Sequence, residues 1–92
     1  MRYIINVSFI FSETLEKNFM LWSQNNPLLY NFNWLRLIGQ KDGTMTICAQ
    51  IEIENMQELQ KISGLVESRL HIELKKDFNE DVIFYMSALE KL

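Results

Sequence analysis

The chain has 92 residues, of which 48% are hydrophobic and 23% are charged, and its formal net charge is −3 at pH 7. A chain of this length supplies one hydrophobic core, and we therefore expect a single domain over residues 1–92. The acidic balance argues against nucleic acid or an anionic membrane as a partner, because both are bound through clustered lysine and arginine.

Cys48 is the only cysteine, so an internal disulfide is excluded, and its place in an apolar alternating run favours a packed thiol over a reactive one. No segment reaches the roughly 18 uninterrupted apolar residues of a membrane span. We do not expect residues 1–11 to form a signal peptide, because Asn6 and Ser8 interrupt the apolar run and no small-residue cleavage site follows. The sequence predicts a cytoplasmic protein.

The first predicted element is a strand from Tyr3 to Phe11, whose side chains alternate between two faces. One face carries Tyr3, Ile5, Val7, Phe9 and Phe11, and the other carries Ile4, Asn6, Ser8 and Ile10. Ser12 then suits a helix N-cap. A helix up to Asn25 places Leu15, Phe19 and Trp22 on one apolar stripe.

Two further strands flank residues 39–43, where Asp42-Gly43 is typical of a hairpin turn. The run from Phe32 to Ile38 alternates Leu35 and Leu37 with Phe32, Trp34, Arg36 and Ile38, and we expect the two leucines to face the helices. The next run is the most regular of the chain, and its apolar face consists of Met45, Ile47, Ala49, Ile51 and Ile53.

A second helix is predicted from Asn55, a capping residue followed by Glu58, to about Asp77. Its apolar stripe consists of Leu59, Ile62, Val66, Leu70 and Leu74. Gly64 weakens the interior of this long helix and is a candidate position for a kink or a break. The last predicted strand, from Asp81 to Leu89, turns Val82, Phe84, Met86 and Ala88 toward the helices.

The order strand, helix, strand, strand, helix, strand predicts an α+β fold of the ferredoxin-like type, a βαββαβ sandwich. Its four-stranded antiparallel sheet carries both helices on one face. On the open face we place Ile4, Ile10, Phe32, Trp34, Ile38, Ile83, Tyr85 and Leu89. Because monomers rarely expose apolar patches beyond a few hundred Å², we expect a second copy to cover this face, as in a dimeric α/β barrel. The predicted dimer interface comprises Ile4, Trp34, Ile38, Ile83 and Tyr85.

Polar side chains interspersed on the same face define a candidate pocket or interface, formed by Trp34, Arg36, Cys48, Gln50 and Tyr85. Arg36 would pair with an anionic ligand or with a carboxylate such as Glu52. We predict no catalytic residue, because no base for Cys48 is identifiable, and no cofactor. We predict no metal site, because Glu67 and His71 would supply only two ligands. The third strand presents no aromatic side chain on its open side, which argues against RNA.

Several short segments resemble a family of short bacterial proteins classed as a domain of unknown function. They are Ile5-Asn6-Val7, Trp22, Leu35-Arg36-Leu37 before Asp42-Gly43-Thr44, and Phe84 to Leu89. Members typically carry His-Ile-Pro after the first helix and Phe-Arg-Thr in the last strand, where this chain has Asn25-Asn26-Pro27 and Phe84-Tyr85-Met86-Ser87. The resemblance implies a ferredoxin-like fold similar to dimeric α/β barrel proteins. It implies no activity.

Three functions are compatible with this sequence. The first hypothesis is a non-catalytic homodimeric interaction or scaffold module, motivated by the apolar open face. The alternative is a small-molecule-binding protein, or a cofactor-free enzyme resembling dimeric α/β barrel monooxygenases, with a pocket beside Arg36 and Tyr85. A regulatory ligand-binding domain is a third interpretation. A closed cavity between the sheets would favour the alternative, and a filled interface would favour the module.

Overall fold

The computed structural model describes residues 2–39 and 42–92, which form a four-stranded sheet with helices packed on one face. Its strands are β1 (Tyr3–Ser12), β2 (Asn33–Arg36), β3 (Thr44–Ile53) and β4 (Val82–Glu90), and its helices are α1 (Glu16–Gln24) and α2 (Met56–Phe78). The strand order is β2-β3-β1-β4, and every neighbouring pair is antiparallel. This topology confirms the predicted ferredoxin-like α+β fold. In the predicted hairpin turn, Gln40 and Lys41 lie outside the described residues, as does Met1.

The first strand is the centre of the sheet, because β1 pairs with β3 on one side and with β4 on the other. Its residues Ile5, Val7 and Phe9 are fully buried beneath the helices. The register sets them beside Ile51, Ala49 and Ile47 of β3, and beside Ala88, Met86 and Phe84 of β4. The apolar faces predicted for these three strands therefore lie on one side of the sheet, as expected.

Polar side chains determine where the helices begin. The hydroxyl of Ser12 accepts a hydrogen bond from the Thr14 amide at 3.4 Å, which confirms the predicted cap, although the first turn (Glu13–Leu15) is a 3₁₀ helix ahead of α1. The side chain of Asn55 accepts a hydrogen bond from the Glu58 amide at 2.8 Å and starts α2. That helix continues through Gly64 without a break.

An aromatic cluster links α1 to the sheet. The ring of Phe19 on α1 lies 5.1 Å from that of Phe9 and 4.5 Å from that of Phe11, measured between centroids. The indole of Trp34 stacks 5.8 Å from Phe9 and meets Phe19 edge-on at 6.2 Å. Such pairs contribute about 0.5–1.5 kcal/mol beyond their buried area.

The face assignment predicted for β2 is wrong. Trp34 pairs with Ala49 in the register, so it lies on the helix-facing side with the core and not on the open face. Phe32, just before the strand, is likewise buried in the core. Leu35 pairs with Cys48 and lies on the open face instead. The alternation of β2 is as predicted, but the side that faces the helices is the one with Trp34 and not the one with Leu35 and Leu37.

Candidate functional site

The surface of interest is the open face, the side of the sheet opposite the helices. Its side chains form rows that cross the strands. The two inner rows are Leu35–Cys48–Ser8–Tyr85 and Asn33–Gln50–Asn6–Ser87. The two outer rows are Thr46–Ile10–Ile83 and Glu52–Ile4–Leu89, and a hydrogen bond from the Leu37 amide to the Thr46 carbonyl (3.0 Å) adds Leu37 to the first of them.

The centre of the open face is a hydrogen-bonded polar network. The amide of Gln50 donates to Asn6 Oδ1 at 2.8 Å, and the amide of Asn6 donates to Ser8 Oγ at 3.0 Å. Ser8 Oγ also lies 3.5 Å from Cys48 Sγ. All four side chains are half-buried. Because their partners are one another, a surface covering this network leaves few of their polar atoms unpaired.

Apolar side chains surround this network. Five of them are roughly half-exposed, between 48% and 60%, namely Leu35, Leu37, Ile83, Tyr85 and Leu89. Ile4 and Ile10, on the central strand, are half-buried between them. An apolar rim around a polar centre on one flat face is unusual for a surface that remains in water, since exposed apolar patches of this extent mark interaction sites.

A small ion cluster lies at one corner of the open face. Glu52 Oε1 accepts hydrogen bonds from Lys91 Nζ at 3.1 Å and from Arg2 at 3.4 Å. The hydrogen bond from Lys91 lowers the pKa of Glu52, and the charges of Lys91 and Arg2 act in the same direction. All three groups are exposed, so the cluster contributes little to stability.

The structure divides the predicted site residues between the two sides of the sheet. Cys48, Gln50, Tyr85, Ile4 and Ile83 lie on the open face, as expected. Trp34 lies in the core. Arg36 also lies on the helix-facing side, where its guanidinium contacts Glu16 on α1 at 2.7 Å and not Glu52. Ile38 lies beyond the end of β2 and is 90% exposed. The predicted pocket therefore loses Trp34 and Arg36, which cannot line one cavity with Cys48, Gln50 and Tyr85.

The sequence prediction missed Leu35, Leu37 and Asn33 as members of the open face. Ala49 was the signal that could have found them. It is the smallest side chain on the apolar face of β3, and it leaves room for a large ring on the neighbouring strand. That room is taken by Trp34, which fixes its neighbours in β2 on the opposite face.

The remaining reactive groups are scattered. His71 on α2 is exposed, and its ring packs 4.9 Å from that of Phe84 on the helix-facing side of β4. Within residues 2–39 and 42–92, no three side chains among His, Cys, Asp and Glu lie close enough to hold a metal ion. In the same part of the chain, no helix has the length and apolar character to cross a membrane.

Surface hollows also lie beside the helices. One, of about 500 Å³, runs between the end of α2 and β4 and includes His71, Lys75 and Phe84. Another, of about 370 Å³, lies beside Trp34 and Asn26. The side-chain nitrogen of Asn26 is buried without a hydrogen-bond partner in the described part of the structure, but it has no accessible surface that a ligand in the hollow could reach.

Comparisons with known proteins show the fold. No family model matches the chain, and no curated protein matches it. Among solved structures it is similar to the de novo designed protein Foldit4, with 10% identity, full coverage of both chains and a TM-score of 0.54. It also aligns with the de novo designed protein LFR1 1, described as having a ferredoxin fold, with 14% identity, 88% coverage of that chain and a TM-score of 0.46.

Proposed function

We propose that this protein is a non-catalytic homodimeric interaction module whose open face packs against the open face of a second copy. The observation that carries the proposal is the rim of half-exposed apolar side chains around a polar network whose members hydrogen-bond one another. Membership of the family of short bacterial proteins, and a cytoplasmic location, belong to the same proposal and are supported by the sequence alone.

The size of the open face supports a second copy as its partner. With strands ~4.8 Å apart and ~3.3 Å per residue, three strands about eight residues long and the four-residue β2 cover roughly 440 Å². Two copies packed together would then bury roughly 900 Å², which is close to the lower limit of about 1,000 Å² for a specific protein–protein interface.

The pattern on β1 also supports a symmetric interface. Its open side is symmetric about Val7, with polar Ser8 and Asn6 next to that level and apolar Ile10 and Ile4 farther out. A twofold axis across the strands at this level sets Ile10 of one copy on Ile4 of the other, and Ser8 on Asn6. An isologous interface needs such self-complementarity, because each patch meets itself.

The small-molecule alternative has less support. Of its five predicted pocket residues, Trp34 and Arg36 lie on the other side of the sheet, where they contact Phe9 and Glu16. The three that remain, Cys48, Gln50 and Tyr85, include no acid–base pair. No observation on the open face favours catalysis over packing.

The first prediction tests this interface with a charge. Ile83→Glu and Leu35→Glu, on opposite edges of the open face, should disrupt the open-face contact and lower the sedimentation coefficient, because an unpaired carboxylate buried at an interface is disfavoured by several kcal/mol. Sedimentation velocity at tens of micromolar protein measures the change. Leu65→Glu is the matched control, because Leu65 is similarly exposed (55%) but lies on α2. That variant should sediment like wild type.

A monomeric wild type at this concentration would contradict the proposal. So would Ile83→Glu and Leu35→Glu variants that both keep the sedimentation coefficient of wild type.

A further inference from the structure

The outer edge of β4 presents unpaired backbone groups. β4 has nine residues and is the last strand of the sheet, so one of its two hydrogen-bonding sides pairs with no strand in the described part of the chain. The amide of Lys91 donates to the Arg2 carbonyl at 2.8 Å, which shows that Lys91 points toward β1. Because direction alternates along a strand, Val82, Phe84, Met86, Ala88 and Glu90 direct their N–H and C=O groups outward.

This edge lacks the features that normally prevent strand addition. Before Glu90, its last residue, it carries no charged residue, no proline and no glycine. Proteins usually protect exposed edges with lysine, proline, bulges or very short strands. The opposite edge shows such protection, since β2 has only four residues. A long unprotected edge is therefore expected to have a strand as its partner.

The sequence of β4 fits a second copy of itself. Pairing two β4 strands antiparallel about Met86 sets Val82 opposite Glu90, Phe84 opposite Ala88 and Met86 opposite Met86. All of these residues direct their backbone N–H and C=O groups outward, toward the second strand. The same register brings Ile83 opposite Leu89 on the open face, where both are about half-exposed. It also sets Asp81 opposite Lys91 at each end of the pair, so both ends carry two opposite charges side by side.

We propose that β4 pairs antiparallel with β4 of a second copy about a twofold axis at Met86, joining two sheets into one continuous sheet. This contact is separate from the open-face interface, and it uses backbone groups where the open face uses side chains. The two twofold axes are perpendicular, since one is normal to the sheet and the other lies between two sheets. Where such axes cross, the assembly closes as a tetramer.

Cysteine cross-linking tests the register in a Cys48→Ser background. Paired Met86 residues would have Cα atoms about 5.5 Å apart, within the 4.4–6.8 Å range for a disulfide. Met86→Cys should therefore form a covalent dimer under mild oxidation. Ala88→Cys is the matched control, because two Ala88 residues would be about 14 Å apart in this register. Open-face packing alone would cross-link neither variant. A covalent dimer of the Ala88→Cys variant, or none of the Met86→Cys variant, would overturn the proposal.

Sedimentation separates the two interfaces. Wild type should be a tetramer, and Leu35→Glu should leave dimers that still cross-link through Met86→Cys. Ala88→Pro removes an outward N–H that the sheet itself does not use, so it should leave folded dimers joined through the open face. Circular dichroism checks that the fold is retained. A tetrameric Ala88→Pro variant would overturn the edge contact, and a tetrameric Leu35→Glu variant would overturn the open-face contact.

Discussion

Ala49 determines where the largest side chain of β2 lies. It is fully buried, directly beside Trp34 in the register, and its methyl group leaves the space that the indole occupies against Phe9. A larger residue at this position would collide with the indole where it now packs. The small volume of Ala49 therefore favours Trp34 on the helix-facing side and Leu35 on the open face.

Ile47 tests the assignment of the helix-facing core. It is 3% exposed and lies beside Phe9 in the register. Ile47→Ala should lower the free energy of unfolding by about 2–5 kcal/mol, because it removes buried methyl groups and leaves a cavity. Denaturant titration measures the loss. The exposed Leu65 provides the control, and Leu65→Ala should cost below about 0.5 kcal/mol. A loss below about 1 kcal/mol for Ile47→Ala would contradict the assigned face.

The lowered pKa of Glu52 predicts how stability changes at acidic pH. Its pKa is lowered in the folded protein by the Lys91 hydrogen bond, followed by the charges of Lys91 and Arg2. The stabilisation is therefore complete above the ordinary pKa of a glutamate and is lost as the pH falls through the lowered value. Glu52→Gln should unfold with a weaker pH dependence in that acid range and with little change at neutral pH. Thermal unfolding across the two ranges measures this, and an unchanged acid dependence would refute it.

At the scale of elements, α2 contains a glycine that lowers its stability. Gly64 lies in its interior, and a β-carbon added there would meet no atom within 4 Å. Gly64→Ala should raise the free energy of unfolding by about 0.5–1 kcal/mol, because alanine loses less backbone entropy in a helix.

Gly43 is the control for this substitution. Its φ of +71° is unfavourable for any residue with a β-carbon, so Gly43→Ala should destabilise. Denaturant titration of both variants measures the contrast. If Gly64→Ala were neutral or destabilising, the position would have a role in contacts that the isolated chain does not show.

The elements that the sequence predicted best are those whose pattern is long. β1, β3 and β4 each alternate over nine or ten residues, and α2 repeats its apolar stripe over 23 residues. Patterns of this length predict both the type of element and the side of it that is buried. β2 has only four residues and carries large apolar groups on both sides, and local pattern alone could not choose between them. That choice depends on Ala49 in another strand, which is a tertiary effect.

The candidate site was predictable to the same extent. Ile4, Cys48, Gln50, Ile83 and Tyr85 follow from long strands, and their shared face was foreseen. Which residues of β2 lie on the open face could not be predicted, because this depends on how the volume of Trp34 fits beside Ala49 in the neighbouring strand. The individual hydrogen bonds around Asn6 depend on the register of β1 against β3, which no local pattern encodes.

At the scale of the whole molecule, the sheet depends on contacts between distant parts of the chain. The central strand β1 pairs with β3 and with β4, so Tyr3 lies beside both Ile53 and Glu90. Folding must close these long loops before the pairing contributes to stability. All-β and mixed proteins dominated by such contacts fold more slowly than helical bundles.

The position of β4 at the far end of this order has a consequence during synthesis. β1 leaves the ribosome first, yet one of its two neighbours is translated last, several seconds later at ~5–20 residues per second. During that interval the backbone groups of β1 that later pair with β4 have no partner, and Val7 and Phe9 of β1 are incompletely covered. A nascent chain with this topology is therefore expected to need shielding by a chaperone, and its aggregation should rise with slower translation of residues 79–90.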